Sequence, residues 1–188
     1  LNTTTLPVEI VPATDGVFKW ITTRNLQFIP KERLRRGTTY TVRINKGFVS
    51  MDGLEVPSRT HTFRTRPLRM EFIDRGILRY DNPIRIVFNQ PVDLERTSRE
   101  IRAIDTKNGR THGVTTTYGV RRVYDAKTKK EESFLDKSVI EVHSKEDRFG
   151  RLGFWNFDAA YQFTLQKVYP AEGDIVLATP VSADIRIT

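Results

Sequence analysis

The sequence predicts an all-β protein that consists of two antiparallel β-sandwich modules in tandem. Three observations lead to this prediction. Apolar and polar residues alternate over many short segments, which is typical of strands with one buried face. A cassette of an alternating strand, a Lys-Glu turn, a Tyr-led strand, a Gly/Asp turn and a closing strand occurs twice. Turn residues separate the segments at short intervals, which favours a sandwich over alternating strands and helices.

The two copies of the cassette match segment by segment. The first has its segments at 25–32, 37–45 and 60–65, with a turn at Asp52-Gly53, and the second has them at 139–146, 160–165 and 183–188, with a turn at Gly173-Asp174. Within the first Tyr-led strand, Tyr40, Val42 and Ile44 are expected to face a core while Thr41 and Arg43 face water. The same alternation predicts strands around Phe18 and Trp20, Leu26 and Phe28, Ile84 to Phe88, Tyr161 to Leu165, and Ile185 and Ile187.

Two segments depart from the repeated pattern. Residues 94–101 are predicted to form a turn or two of helix, because Asp93 is a suitable N-cap and Glu95 lies in the first turn. Residues 120–134 have alternating apolar ends around a charged middle, which predicts a long hairpin with a solvated tip at 125–132. Because the first copy has no counterpart, this hairpin is interpreted as an insertion.

The module boundary is expected at Arg66-Pro67, which gives domains 1–66 and 67–188. Pro67 cannot donate to a strand ladder, and alternation begins again at Met70 and Phe72. The chain starts with Leu1 rather than Met and starts inside the repeat, so we expect it to belong to a longer protein.

Composition excludes several classes of protein. With 38% hydrophobic and 29% charged residues the chain can bury a core. It has no cysteine, so disulfides and Cys-ligated zinc are excluded. No apolar run is long enough to span a membrane. The net charge is +8, and residues 1–66 hold eleven Lys and Arg against five Asp and Glu. This basic surplus suits either a solvated surface or an anionic partner such as an acidic cell-wall polymer.

One run in the first module has a recognisable pattern: Phe28, Pro30, Leu34, Gly37-Thr-Thr-Tyr40 and Val42 give Phe-x-Pro-x-x-x-Leu-x-x-Gly-Thr-x-Tyr-x-Val. In this run the chain resembles the bacterial Ig-like domains that occur in tandem on surface proteins. Phe63-Arg-Thr65 matches the ending of such domains. Ile84-Arg-Ile-Val-Phe-Asn-Gln-Pro-Val-Asp93 resembles the strand and turn that open such a domain.

The resemblance implies a non-enzymatic structural or interaction region of a bacterial cell-envelope or secreted protein, in contact with other domains of the same parent chain or with another protein. Similar domains occur near the N-terminus of bacterial α2-macroglobulin-like proteins, so a part of such a protease inhibitor is included in this expectation. Two departures stand out. The second module has Asp158-Ala-Ala-Tyr161 at the Gly-Thr-Thr-Tyr position, and the first has no counterpart of 68–93, so it is expected to lack its early strands.

The chemical motifs of enzymes are missing from the sequence. His61, His112 and His143 stand alone, without the partners that a catalytic triad or a two-His metal site requires. Asp147, Asn156 and Asp158 offer oxygen atoms in one loop but lack the spacing of a calcium loop. We therefore expect no enzymatic activity, no cofactor and no metal. The cluster at 31–36 has no interleaved aromatic residue, so no nucleic acid is expected as a partner.

The strongest candidate for a binding site is the aromatic loop 147–157. Its candidate contact residues are Arg148, Phe149, Arg151, Phe154, Trp155 and Phe157. Aromatic side chains can stack on a sugar ring, and the arginines can pair with anionic groups, so the alternative function is binding of a glycan or an anionic cell-wall polymer. The competing interpretation is that these aromatic residues close the open end of the sandwich.

Overall fold

The computed structural model describes residues 8–22, 24–47, 49, 53–127, 129–173 and 175–188. They form many strands and one short helix, which confirms the all-β class. The chain divides into two compact units, Leu1–Pro67 (unit 1) and Leu68–Thr188 (unit 2), next to the expected boundary. Leu1 and the turn residues Asp52 and Asp174 lie outside the described residues.

Unit 1 contains a three-stranded sheet and a hairpin. Its strands are β1 (Val8–Val11), β2 (Gly16–Trp20), β3 (Leu26–Pro30), β4 (Thr39–Ile44) and β5 (Arg59–Arg64). The antiparallel sheet has the order β1-β4-β5, and β2 pairs with β3. Gly16 is required where β2 begins, because a Cβ there would collide with the Phe28 ring and lie 2.6 Å from the Ile29 carbonyl oxygen.

A single aromatic side chain anchors unit 1. Among its described residues, Tyr40 is the one large hydrophobic side chain that is fully buried, and its ring stacks on Phe63 with centroids 5.5 Å apart. The Arg35 N–H donates a 3.1 Å hydrogen bond to the Tyr40 hydroxyl. The neighbouring core candidates Val42 and Ile44 stay partly exposed. The apolar face of unit 1 is therefore incompletely covered.

Unit 2 has two sheets that share one core. Its elements are β6 (Met70–Ile73), β7 (Gly76–Leu78), β8 (Ile84–Phe88), α1 (Leu94–Ser98), β9 (Ile101–Asp105), β10 (Thr111–His112), β11 (Val114–Asp125), β12 (Lys130–Glu146), β13 (Leu152–Gly153), β14 (Ala160–Leu165) and β15 (Val181–Ile187). One sheet has the order β11-β12-β8-β6, with β13 on β12, and the other has the order β10-β9-β14-β15-β7. Alternate residues from both sheets join one buried cluster, so the sheets pack face to face.

The predicted strands of unit 2 are present, and the helix predicted over 94–101 is confirmed for Leu94–Ser98, whereas Ile101 begins strand β9 instead of ending the helix. Ile84 and Ile86 of β8 are buried together with Tyr161 and Phe163 of β14, as the alternation predicts. Helix α1 begins after Asp93, whose carboxylate accepts a 3.0 Å hydrogen bond from the Arg96 N–H. This bond satisfies an N–H group that lacks a partner within the helix.

The central strands of the two units pair in the same register. In unit 1, Val8 lies opposite Ile44, and in unit 2, Ile101 lies opposite Leu165. Ile44 lies four residues after Tyr40 in β4, and Leu165 lies four residues after Tyr161 in β14. Tyr40 lies opposite Phe63, and Tyr161 lies opposite Ile185. The hairpins also correspond, since the Lys31 N–H donates to the Asp15 carbonyl at 2.9 Å and the Lys145 N–H to the Gly113 carbonyl at 2.8 Å.

The same backbone conformation precedes both tyrosines. Gly37 has φ 59° and Asp158 has φ 61°, each three residues before its tyrosine. The departure noted in the sequence, Asp158 in place of glycine, therefore keeps the left-handed geometry. Aspartate tolerates this region better than most residues do, but it remains less favourable than glycine there.

This geometry gives a prediction for Asp158. We expect Asp158→Gly to stabilise unit 2 by up to about 1 kcal/mol, and Asp158→Ala to destabilise it by about 1 kcal/mol, because alanine is disfavoured at positive φ. The exposed 3.5 Å ion pair with Arg186 is lost in both variants and so cancels in the comparison. Urea denaturation of the full chain measures the difference. Equal midpoints for the two variants would contradict the conformational argument.

The hairpin of β11 and β12 extends beyond the rest of its sheet. Pairing shifts register at Tyr118/Gly119 and then continues from Val120 opposite Leu135 to Asp125 opposite Lys130. Val120, Tyr124, Phe134 and Leu135 are exposed on this two-stranded arm. The hairpin occupies the segment interpreted as an insertion.

A buried amide lies at the end of β8. Gln90 is 1% exposed, and among the described residues neither its amide nitrogen nor its amide oxygen has a hydrogen-bond partner. A buried polar group without a partner costs about 1 to 3 kcal/mol. We therefore expect Gln90→Met, which keeps most of the volume, to stabilise unit 2 by about that amount in urea denaturation. The matched control is Gln162→Met at an exposed position of β14, where a change of less than about 0.5 kcal/mol is expected.

Candidate functional site

The aromatic loop 147–157 is ordered by its first residue. The Asp147 carboxylate accepts hydrogen bonds from the N–H groups of Phe149 and Arg151, both at 2.9 Å, and from the Arg151 guanidinium at 2.7 Å. Asn156 accepts a 2.6 Å bond from the Arg148 N–H. The two ends of the loop are thus held by side chains that bond to its own backbone.

These bonds determine the charge state of Asp147. Burial of the carboxylate raises its pKa, but the hydrogen bonds from Arg151 and Phe149 outweigh that effect, so the pKa lies below its ordinary value. The carboxylate therefore stays ionised at neutral pH, and it supports folding until the pH falls through its lowered pKa.

Trp155 belongs to the core and has no surface available to a ligand. It is 0% exposed, and its indole N–H donates a 3.0 Å hydrogen bond to the Asn82 carbonyl. Its ring packs against His112 at 5.5 Å and Tyr161 at 5.2 Å between centroids. This position agrees with the interpretation that aromatic residues of the loop close the end of the sandwich. Trp155 therefore leaves the set of candidate contact residues.

The other five candidate residues form a partly exposed surface, called the aromatic platform here: Arg148, Phe149, Arg151, Phe154 and Phe157. Phe149 is 71% exposed and Phe157 is 56% exposed. The guanidinium carbon of Arg148 lies 5.0 Å from the centre of the Phe149 ring, and that of Arg151 lies 5.4 Å from the Phe154 ring. The platform thus combines apolar ring faces with two cations.

Tyr80 supports the platform and was not identified from the sequence. Its ring stacks on Phe154 at 5.8 Å and meets the edge of Phe157 at 6.4 Å. The backbone N–H of Trp155 donates a 2.9 Å hydrogen bond to the Tyr80 carbonyl. The contact joins segments far apart in the chain, so no local pattern could have indicated it.

His112 is the second residue that sequence reasoning missed. Its ring contacts Trp155 and Tyr161, and its Nε2 lies 2.7 Å from the Ser144 hydroxyl. A cavity of about 250 Å³ lies beside it, with Lys145 and Asn156 in its lining. The sequence shows His112 as a lone histidine, because its partners come from β12, β14 and the aromatic loop.

The partly buried position of His112 makes the stability of unit 2 sensitive to pH. Burial lowers the pKa of His112 below 6.5, although the carboxylates of Asp105 and Glu146 partly oppose this. The unfolded chain takes up the proton first, so we expect stability to fall as the pH drops from about 7 through 6.5 and to level off below the folded-state pKa. In His112→Gln this slope should disappear from urea midpoints measured between pH 7 and 5. An unchanged slope would contradict the assignment.

A metal site needs carboxylate or imidazole groups that lie close together. Within the described ranges, no group of three or more His, Asp or Glu side chains could hold a metal ion. The Asp147 carboxylate and the Asn156 amide are occupied by the loop's own hydrogen bonds, and Asp158 pairs with Arg186. No helix in the described part of the chain is long and apolar enough to cross a membrane.

Comparisons with known proteins give no identification. No protein-family model matches the chain, and no curated protein matches it significantly. The functional interpretation therefore depends on the residues and their geometry.

Proposed function

We propose that the chain is a tandem pair of Ig-like modules that acts as a non-enzymatic, load-bearing spacer in a bacterial cell-envelope or secreted protein. The order of strands supports this proposal. In unit 2, the order β6-β8-β12-β11 resembles the A-B-E-D sheet of immunoglobulin-like sandwiches. In the other sheet, β15-β14-β9 resembles the G-F-C order, with β7 added beside β15 and β10 beside β9. In unit 1, the order β1-β4-β5 is consistent with strands C, F and G of the same arrangement.

The tyrosines provide further support. Immunoglobulin-like domains carry a tyrosine at the start of strand F whose hydroxyl bonds to a segment a few residues upstream. Tyr40 receives such a bond from Arg35, and Tyr161 receives a 2.9 Å bond from the Asn156 side chain. Each partner lies five residues before its tyrosine.

The observation that carries the mechanical role is the parallel pairing of β7 with β15. Gly76 lies opposite Ile185 and Leu78 opposite Ile187, and the Thr188 N–H donates to the Leu78 carbonyl at 2.9 Å. β7 lies near the start of unit 2 and β15 at its end. Tension between the ends loads this parallel pair in shear, so its hydrogen bonds resist together rather than opening one at a time.

Single-molecule stretching of the full chain tests the spacer role. We expect separate unfolding events for the two units, and a lower unfolding force for unit 2 in Thr188→Pro, which removes the donor to Leu78. The matched control Thr188→Ala keeps that N–H and should unfold at the wild-type force. Equal forces for both variants, or no resistance in the wild type, would reject the role of the parallel pair.

A second function is favoured by the aromatic platform. Its exposed phenylalanine side chains and two arginines suit an anionic polysaccharide, because aromatic side chains contact sugar rings while guanidinium groups pair with acidic groups. We expect purified anionic cell-wall polymer to be retained by the full chain and retention to drop in Phe149→Ala. The control Phe72→Ala removes an exposed phenylalanine elsewhere in unit 2. Absence of retention by the wild type would eliminate this function.

A narrower version of the first proposal places the chain in the framework of an α2-macroglobulin-like inhibitor. The sequence resemblance is its only support. A Cys-Gly-Glu-Gln-like segment elsewhere in the parent gene would test it.

A further inference from the structure

The outer edge of β3 in unit 1 carries no strand among the described residues. β3 pairs with β2 on one side only. The hairpin bonds from the Ile21 N–H to the Asn25 carbonyl and from the Lys31 N–H to the Asp15 carbonyl, both 2.9 Å, set the alternation. In an antiparallel pair, every second residue points its backbone groups away from the partner. The N–H groups of Leu26 and Phe28 therefore point to the open edge.

Unit 2 shows what occupies the equivalent edge. The pair of Trp20 with Leu26 in unit 1 corresponds to the pair of Tyr118 with Ile140 in unit 2. The pair of Phe18 with Phe28 corresponds to that of Thr116 with Val142. Leu26 and Phe28 therefore hold the positions of Ile140 and Val142. In unit 2 these residues pair on their other side with Ile86 and Ile84 of β8.

The residues at the equivalent positions are more deeply buried in unit 2 than in unit 1. Ile140 and Val142 are 0% exposed in unit 2, where they lie beside Ile86 and Ile84 of β8 in one buried cluster. Leu26 and Phe28 are only partly buried in unit 1. The three-stranded sheet of unit 1 follows the same trend, since Phe163 is buried and its counterpart Val42 is only partly buried. Among its described residues, unit 1 has no strand at the position that β8 holds in unit 2.

We propose that unit 1 accepts one further β-strand, which runs antiparallel to β3 and pairs with the open backbone groups of Leu26 and Phe28. The occupant is a polypeptide segment of about five residues with β-branched or aromatic side chains at alternate positions, as in Ile84–Phe88. Its apolar face covers Leu26, Phe28 and Val42. The acceptor edge is independent of the mechanical function proposed above.

The edge of β5 provides a second place for the same kind of pairing. In unit 2, β15 carries the parallel strand β7 beside Ile185 and Ile187. The equivalent positions of β5 and the residue after it, Phe63 and Thr65, have no strand beside them among the described residues. A segment with the spacing of β7 and β8 would fill both edges.

A graft of unit 2's own strands tests the proposal in the full chain. Residues 68–93 are copied and joined in front of Leu1, which reproduces the spacing between β8 and β9, because Val8 and Ile101 hold the same register and each follows Leu1 or Leu94 by seven positions in the sequence. The readout is hydrogen exchange of the Leu26 and Phe28 amides together with the urea midpoint of unit 1. We expect at least tenfold slower exchange at both amides and a higher midpoint.

The matched control carries Ile84→Asp and Ile86→Asp in the copied segment alone. It has the same length and connection, but its charged side chains cannot cover an apolar face. It should leave the exchange of Leu26 and Phe28 at the level of the ungrafted chain. Equal exchange for graft and control, or new protection confined to unit 2, would overturn the proposal.

Discussion

Trp155→Ala is expected to destabilise unit 2 by about 3 to 5 kcal/mol, the range measured for truncation of large buried aromatic side chains. Trp155 is fully buried and contacts His112 and Tyr161, and its indole N–H satisfies the Asn82 carbonyl. The truncation therefore leaves a cavity and an unpaired carbonyl group. Because single domains are stable by only about 5 to 15 kcal/mol, unit 2 should lose a large part of its stability.

Urea denaturation followed by far-ultraviolet circular dichroism measures this loss, since the variant also removes a fluorophore. The matched control is Phe149→Ala in the same loop, where the ring is mostly exposed, and a change within about 0.5 kcal/mol is expected. If both variants shifted the midpoint by the same amount, Trp155 would not be the core residue described above.

Tyr40→Ala should have an effect of similar size in unit 1, about 3 to 5 kcal/mol. Tyr40 is the one large hydrophobic side chain that is fully buried among the described residues of this unit, and it stacks on Phe63. Few other buried contacts remain to support the sheet. We expect unit 1 to unfold in this variant, as seen by loss of hydrogen-exchange protection in β4 and β5.

Tyr40→Phe separates the hydroxyl from the ring. It keeps the stacking on Phe63 and removes only the bond from the Arg35 N–H, so the expected cost is about 1 kcal/mol. Unit 1 should remain folded. A cost in Tyr40→Phe as large as in Tyr40→Ala would mean that the hydrogen bond, rather than the buried ring, supports the unit.

Local patterns predicted the elements because they are local in origin. Alternation in Tyr40–Ile44 and Ile84–Phe88 reflects one buried face, and the cap of α1 depends on Asp93 and Arg96 alone. The correspondence of the two copies was also visible in the sequence, where Asp158 occupies the position of Gly37. The structure adds that both residues adopt positive φ.

The arrangement of the site could not be predicted in the same way. Nothing within the loop distinguishes Trp155, which is buried, from Phe149 and Phe157, which are exposed. The difference arises from the segment that holds Tyr80 and the Asn82 carbonyl, which joins the loop only in the folded unit. The parallel pairing of β7 with β15 is similarly non-local.

The most direct test of the central claim is the strand register of both units in solution. Nuclear Overhauser effects between backbone protons should place Val8 opposite Ile44 and Tyr40 opposite Phe63 in unit 1. In unit 2 they should place Ile101 opposite Leu165 and Tyr161 opposite Ile185. Matching registers are the predicted result. A shift of even one residue in one unit relative to the other would contradict the claim that the two units repeat one β-module.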